Sequence, residues 1–197
     1  MANSQSELHA YRDVQHEGSS WVRELGTWLR GAQTIKRARR AGLRSSGPVY
    51  LGTRAYIDEA FAWAVSIGAY TTIANDVHII AHDAAPKLLT GYSEVRPVVI
   101  GSRCYIGAGA IVLPGARIGD GAVIGAGSVV RGEIPAGATA AGSPARVIGS
   151  VEEFCTRHKQ LQATHQCFER RPSEGLTSRE IADMREALDR QGRIYVR

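Results

Sequence analysis

The stretch that decides the fold runs from Ile100 to Val130: Ile100-Gly101-Ser102-Arg103-Cys104-Tyr105-Ile106-Gly107-Ala108-Gly109-Ala110-Ile111-Val112, then on through Ile118 and Ile124 to Val130. Steps of six from Ile100 land on Ile106, Val112, Ile118, Ile124 and Val130, all β-branched aliphatics. The residue after each is often glycine (Gly101, Gly107, Gly119, Gly125). The residue four after each is usually small (Cys104, Ala110, Ala116, Ala122, Ser128). A period of six is neither the 3.6 of a helix nor the 2 of a simple strand. A short extended segment points one aliphatic inward and then must turn, and glycine or a small residue permits the turn. Three such segments close a triangular coil. Successive coils stack at strand spacing, about 4.8 Å, so that each backbone satisfies its neighbours. One coil cannot bury its own face, so stability is shared between neighbours. Antiparallel hairpins would show alternation and Asn-Gly turns instead.

Working outward, Ile67, Ile73 and Ile79 repeat the step, and Leu51 and Ile57 begin it. The step breaks at residues 84–97, which read as a long loop. Three regions follow: a polar, helix-like segment 1–47, the repeat region 48–149, and a charged, helix-like extension 150–197. In the first, Trp21, Leu25, Trp28, Ala32 and Ile35 mark one helix face. That face suits packing against the repeat better than docking on a membrane surface. In the last, Thr177-Ser178-Arg179-Glu180 predicts a capping box opening a helix to about Arg190, stopped by Gly192. The C-terminal helices are expected to cap the end coil.

Bulk composition narrows the classes. The 197-residue chain is 44% hydrophobic, enough for a packed core, and has no apolar run of spanning length. The polar N-terminus reads as lacking a secretory signal, and Cys104, Cys155 and Cys167 show no pairing or zinc spacing. A cytoplasmic location is the expectation. The net charge of +5 suits an anionic ligand. Nucleic acid is disfavoured, because basic runs such as Lys36-Arg37-Ala38-Arg39-Arg40 lack interleaved aromatics.

The quoted run, with Leu113-Pro114-Gly115-Ala116-Arg117-Ile118-Gly119-Asp120, Val123-Ile124-Gly125-Ala126-Gly127-Ser128-Val129-Val130 and Ala141-Gly142-Ser143-Pro144-Ala145-Arg146-Val147-Ile148, resembles the hexapeptide-repeat acyltransferases. The nearest branch is the galactoside, maltose and polysaccharide O-acetyltransferases. The likeness covers about residues 49–149 and specifies the superfamily far better than the acceptor. It implies a mainly β, left-handed parallel β-helix, a homotrimer, active sites in clefts between subunits, and acetyl-CoA as cosubstrate without a metal. The left hand comes from the resemblance, since ordinary parallel crossovers are right-handed.

Acyl transfer to a hydroxyl needs a base for the acceptor proton, and imidazole suits it. By resemblance the base is His82, in Ala81-His82-Asp83 at the start of the long loop. His78 is the competitor, or a neighbour of the acceptor site. Asp58 stands where sugar acetyltransferases carry an acceptor-binding asparagine; otherwise it is a solvated turn residue. Asp83 is placed to orient the imidazole. Lys87 to Arg96 would shape the acceptor pocket from a neighbouring subunit. On the cofactor side, the resemblance lays the pantetheine arm along Ala108 and Ala126, with Ser128 either helping or filling its small-residue position. Tyr105 would line the cleft where the sugar branch has tryptophan. Arg131 and Arg146 would meet phosphates, and Gly142-Ser143-Pro144-Ala145 the adenine end. The implied activity is O-acetylation of a sugar or polysaccharide precursor, with a small-molecule or glycan acceptor. Acetylation of an antibiotic, a natural product or an amino-sugar amine stays open. Two readings of another class remain. One is a silent β-helix scaffold. The other is a zinc enzyme like the γ-class carbonic anhydrases, for which the coils offer only His78 and His82, with Asp76 or Asp83.

Overall fold

The computed structural model describes residues 35–197; most of the helix face marked by Trp21 to Ile35 lies outside the described residues. Residues 35–40 are helical, with Ile35 and Ala38 buried. The repeat region forms three parallel faces. The first face carries Arg44–Ser45, Val65–Ile67, Val98–Ile100, Arg117–Ile118 and Glu133–Ile134. The second carries Val49–Leu51, Thr71–Ile73, Tyr105–Ile106, Val123–Ile124 and Ala138–Gly142. The third carries Tyr56–Ile57, His78–Ile79, Ile111–Val112 and Val129–Val130. The chain visits them in rotation, so the architecture is the mainly β parallel helix that the period implies.

Register shows how the coils are built. Ile100 pairs with Ile118, Ile106 with Ile124 and Val112 with Val130, each eighteen residues on. One coil earlier, Ile67 pairs with Ile100, Ile73 with Ile106 and Ile79 with Val112, a span of thirty-three. Earlier still, Ser45 pairs with Ile67, Leu51 with Ile73 and Ile57 with Ile79, a span of twenty-two. The extra residues all enter at one edge of the prism, where the chain passes from the third face to the first. There the steps are ten (Ile57 to Ile67), twenty-one (Ile79 to Ile100), six (Val112 to Ile118) and four (Val130 to Ile134). The other two edges keep the step of six throughout.

The inward column is dry. Ile57, Ile67, Ile73, Ile79, Ile100, Ile106, Val112, Ile124 and Val130 are almost wholly buried, each contributing on the order of 2 kcal/mol in area terms. Cys104, Ala110, Ala116, Ala122 and Ser128 fill the corners, all fully buried. The corners admit nothing larger at the closest approach: a Cβ on Gly107 would lie 2.5 Å from the Ala126 nitrogen of the next coil. Cys104 donates to the Gly119 carbonyl at 3.1 Å, and burial pushes its thiol pKa up.

After the last full coil, Ala145–Ser150 turns back antiparallel along Ala138–Gly142. A returning strand therefore closes the second face, where the sequence suggested helices. The helix Val151–Thr164 follows. Residues 157–197 belong to a separate compact unit. Within it, the helix Ser178–Gln191 opens on the expected capping box, with Thr177 and Glu180 bonded reciprocally, and stops at Gly192 in the left-handed region. Met184 and Ala187 are its buried residues. No helix among the described residues is long and apolar enough to cross a membrane.

Candidate active site

The edge with irregular steps carries Asp58, His82, Asp83 and Arg96. The twenty-one-residue step opens at Ala81 and is pinned at its neck by a two-rung antiparallel ladder, His82 with Val95 and Asp83 with Glu94. The Arg96 N–H donates to the Ala81 carbonyl at 2.9 Å, closing the neck. Beyond the neck, a single helical turn, Lys87–Thr90, ends at Gly91 with φ 79°. Leu88, Leu89 and Tyr92 at the loop tip are 80–92% exposed. The chain at His82 is thus held in extended geometry on a rigid base while the tip stays open.

The ten-residue step one coil earlier supplies the support for the imidazole. Its extra residues form a 3₁₀ turn, Ala62–Ala64, entered through Phe61, and Asp58 directly follows the strand Tyr56–Ile57, its N–H donating to the Ile79 carbonyl at 2.9 Å. His82 Nδ1 lies 2.5 Å from Asp58 Oδ2, across 24 residues of sequence. The same oxygen accepts from the Ala81 N–H at 3.1 Å. Asp58 is 1% exposed, and its Oδ1 is buried without a hydrogen-bond partner among the described residues. The Phe61 ring lies 4.6 Å from the imidazole, tilted by 38°. A carboxylate on Nδ1 makes that nitrogen the donor and leaves Nε2 as the acceptor. The imidazole is therefore fixed in tautomer and plane, with 30% of its side chain still open to solvent.

Three expectations change in this light. Asp58 is neither a solvated turn residue nor an open acceptor contact; burial commits it to His82. Asp83 does not orient the imidazole, because its Oδ1 accepts from the Ala85 N–H at 2.9 Å in an Asx turn. Ser128 is fully buried, and its hydroxyl accepts from the Gly142 N–H at 3.2 Å. That is the corner-filling role, not a cofactor contact.

The other predicted residues are spread over two edges and two faces. Arg96 lies on the irregular edge with its guanidinium over Gly115, where a Cβ would come within 2.4 Å of Cζ. Arg131 is exposed on the same edge. Ala108 and Ala126 are exposed one coil apart on the edge between the second and third faces, tied by the Gly127 N–H donating to the Ala108 carbonyl at 2.8 Å. Pro144 follows on that edge, and Arg146 is the second residue of the returning strand, both exposed. Tyr105 faces out of the second face between Thr72 and Val123. His78 faces out of the third face, 5.7 Å from the Tyr56 ring. Asp76, weighed as a partner of His78, is bound by Arg54 at 2.6 Å, and that guanidinium holds its carboxyl below the usual range.

Sequence reasoning missed Phe61 and Trp63. The signal was present: from Ile57 to Ile67 is ten residues, which no multiple of six explains.

Residues 97–132 match the family model of the bacterial transferase hexapeptide, six repeats. The chain carries the hexapeptide repeat of bacterial transferases. This hexapeptide-repeat chain is 39% identical over 103 residues to the protein named "Putative acetyltransferase YvoF" of Bacillus subtilis (strain 168), covering 52% of this chain and 58% of that one. It is 37% identical over 85 residues to the 2,3,4,5-tetrahydropyridine-2,6-dicarboxylate N-acetyltransferase of Staphylococcus aureus (strain JH9), covering 42% and 36%. It therefore spans less than two thirds of either relative. Among solved structures it resembles a maltose O-acetyltransferase from Clostridium difficile 630, with a TM-score of 0.47, 23% identity, and coverage of 63% of this chain and 87% of that one.

Proposed function

We propose that the protein is an acetyl-CoA-dependent O-acetyltransferase whose acceptor is a sugar or polysaccharide-precursor hydroxyl, with His82 as general base. The observation that carries this reading is the buried Asp58 carboxylate behind His82 Nδ1, on an imidazole that is otherwise open. A carboxylate on Nδ1 leaves the outward Nε2 unprotonated and free to accept a proton. In the proposed reaction, Nε2 takes the proton of the acceptor hydroxyl as its oxygen forms the new bond to the acetyl carbon. Asp58 stabilises the imidazolium that results. The carbon–sulfur bond breaks, and the proton passes from Nε2 to the departing thiolate. Acetyl-CoA supplies the acetyl group. A neutral thiol leaves readily, so no covalent enzyme intermediate is needed.

The residues fit such a cosubstrate. Exposed, side-chain-poor turns at Ala108 and Ala126 form a flat strip along one edge, with Pro144 and Arg146 beyond it. A guanidinium suits phosphate oxygens. Within one chain this strip and His82 lie on different edges, with the third face between them. That separation supports a homotrimer in which the strip of one subunit meets the imidazole of the next, and Arg131 would then serve from the His82 side. A small cytoplasmic acceptor fits the same picture. The Staphylococcus aureus relative is named for N-acetylation, so an amine is the second reading, and Nε2 serves either nucleophile.

The experiment is a screen of acetyl-CoA consumption against sugars, amino sugars and aminoglycosides, run beside a CoA titration. Turnover of a hydroxyl acceptor that depends on His82 supports the proposal. Turnover of amines alone favours the second reading. Failure to bind CoA at millimolar concentration overturns both in favour of a scaffold.

A further inference from the structure

On the first face lies a cavity of about 400 Å³ lined by Arg44, Trp63, Ala64, Val95 and Pro97. That volume falls within the range of small-molecule sites, roughly 300–1,000 Å³. Trp63 lies in the same ten-residue step as Asp58, and Val95 is the ladder partner of His82. Two ring-to-ring steps, 4.6 Å and 6.2 Å, lead from His82 through Phe61 to the Trp63 indole.

The side chains have an unusual composition for a surface. Trp63 is 57% exposed, although its root is clamped: a Cβ on Gly42 would lie 2.7 Å from Trp63 Cβ. A large indole held at its base and open on its face is a platform, not core packing. Ala64, Val95 and Pro97 add apolar wall. Arg44 is exposed and makes no ion pair among the described residues, whereas nearby Arg37 is engaged with Glu59 at 2.7 Å.

We propose that this cleft binds a sugar ring bearing an anionic substituent, carboxylate or phosphate, and so selects the acceptor. The ring's C–H groups lie on the indole face, whose quadrupole is negative and attracts them. The guanidinium of Arg44 takes the anion through two parallel hydrogen bonds. Naming the ligand an acceptor rests on the acetyltransferase reading; the binding chemistry does not.

The test measures binding directly, by calorimetry and ligand-observed NMR, of galacturonate, galactose 1-phosphate and galactose to the full chain. The variants are Arg44→Gln, Trp63→Ala and His82→Ala, each checked by circular dichroism. The expected result is that one or both anionic sugars bind at least about tenfold tighter than galactose. Arg44→Gln erases that preference, and Trp63→Ala weakens all three sugars. Galacturonate alone gaining affinity assigns a carboxylate; galactose 1-phosphate alone assigns a phosphate. Equal affinities for all three, insensitivity to Arg44→Gln, or no binding at tens of millimolar overturns the proposal. Acetyl-CoA turnover is read separately. Turnover that needs His82 without sugar binding in the cleft sinks only the cleft. Cleft binding without turnover sinks only the acetyltransferase reading.

Discussion

Two edges of the prism repeat every six residues without exception, while the third takes steps of ten, twenty-one, six and four. The contrast separates two jobs. On the regular edges each turn is pinned by the coils on either side, and an added atom collides with backbone, as at Gly107. On the irregular edge, length can change because the extra residues leave the stack sideways and return to the same register. Phe61, Trp63 and His82 arrive through those departures, and Asp58 stands where the first of them begins. Regular coils supply a fixed frame, and departures from it bring the His82 imidazole and its aromatic neighbours together.

If that division holds, substitutions should separate cleanly into losses of rate and losses of stability. The largest expected effect is on the irregular edge. His82→Ala should lower the acetyl-transfer rate by roughly 10²–10⁴, leaving CoA binding and oligomer mass unchanged. Steady-state kinetics beside sedimentation checks this, and near-full activity breaks the mechanism. Asp58→Asn should follow at about 10² or more, because an amide no longer fixes the donor tautomer at Nδ1. Its melting temperature should move little compared with that of a core variant. On the regular side the sign of the comparison reverses. Ile106→Ala, in the column where each aliphatic pairs with the coils above and below, should cost about 2–5 kcal/mol in denaturant unfolding. Thr177→Ala, in the C-terminal unit, should cost about 1 kcal/mol by removing a helix cap.

The smallest effect concerns pH. Arg54 lowers the Asp76 carboxyl pKa through a hydrogen bond on the edge between the second and third faces. A lowered native pKa adds stability above the ordinary carboxylate value, and that stability is lost as pH falls through the native value. Arg54→Ala should therefore raise the acid-unfolding midpoint slightly. The pair is exposed, so salt should mute the difference.

The prism was legible because its cause is local. Each six-residue step carries its own aliphatic and its own small corner residue, so Ile100 to Val130 announces the geometry without reference to anything distant. The long loop after Ala81 was legible as a gap in that rhythm, and the Thr177–Glu180 cap as a four-residue pattern. The hand of the coil was not, since a period has no sense of rotation. Nor was the carboxylate partner of His82, which Asp83 seemed to supply by adjacency. Neighbours along a strand point to opposite sides, so the adjacent residue is poorly placed to support an imidazole. Asp58 reaches it from the coil below, 24 residues away. Ala62 and Val65 are apolar enough to disguise the ten-residue step in which it sits.

The strand that doubles back at Ala145–Ser150 has a consequence for how large the particle can grow. A face of parallel rungs ending in bare amides and carbonyls is a template, and any similar rung from another molecule can extend it. By laying its final rung in the opposite direction, the chain covers that template with its own tail. Val147 and Ile148 then present a surface whose bonding pattern no incoming first coil matches. One reversal of direction thus denies the second face a parallel rung for another molecule to extend.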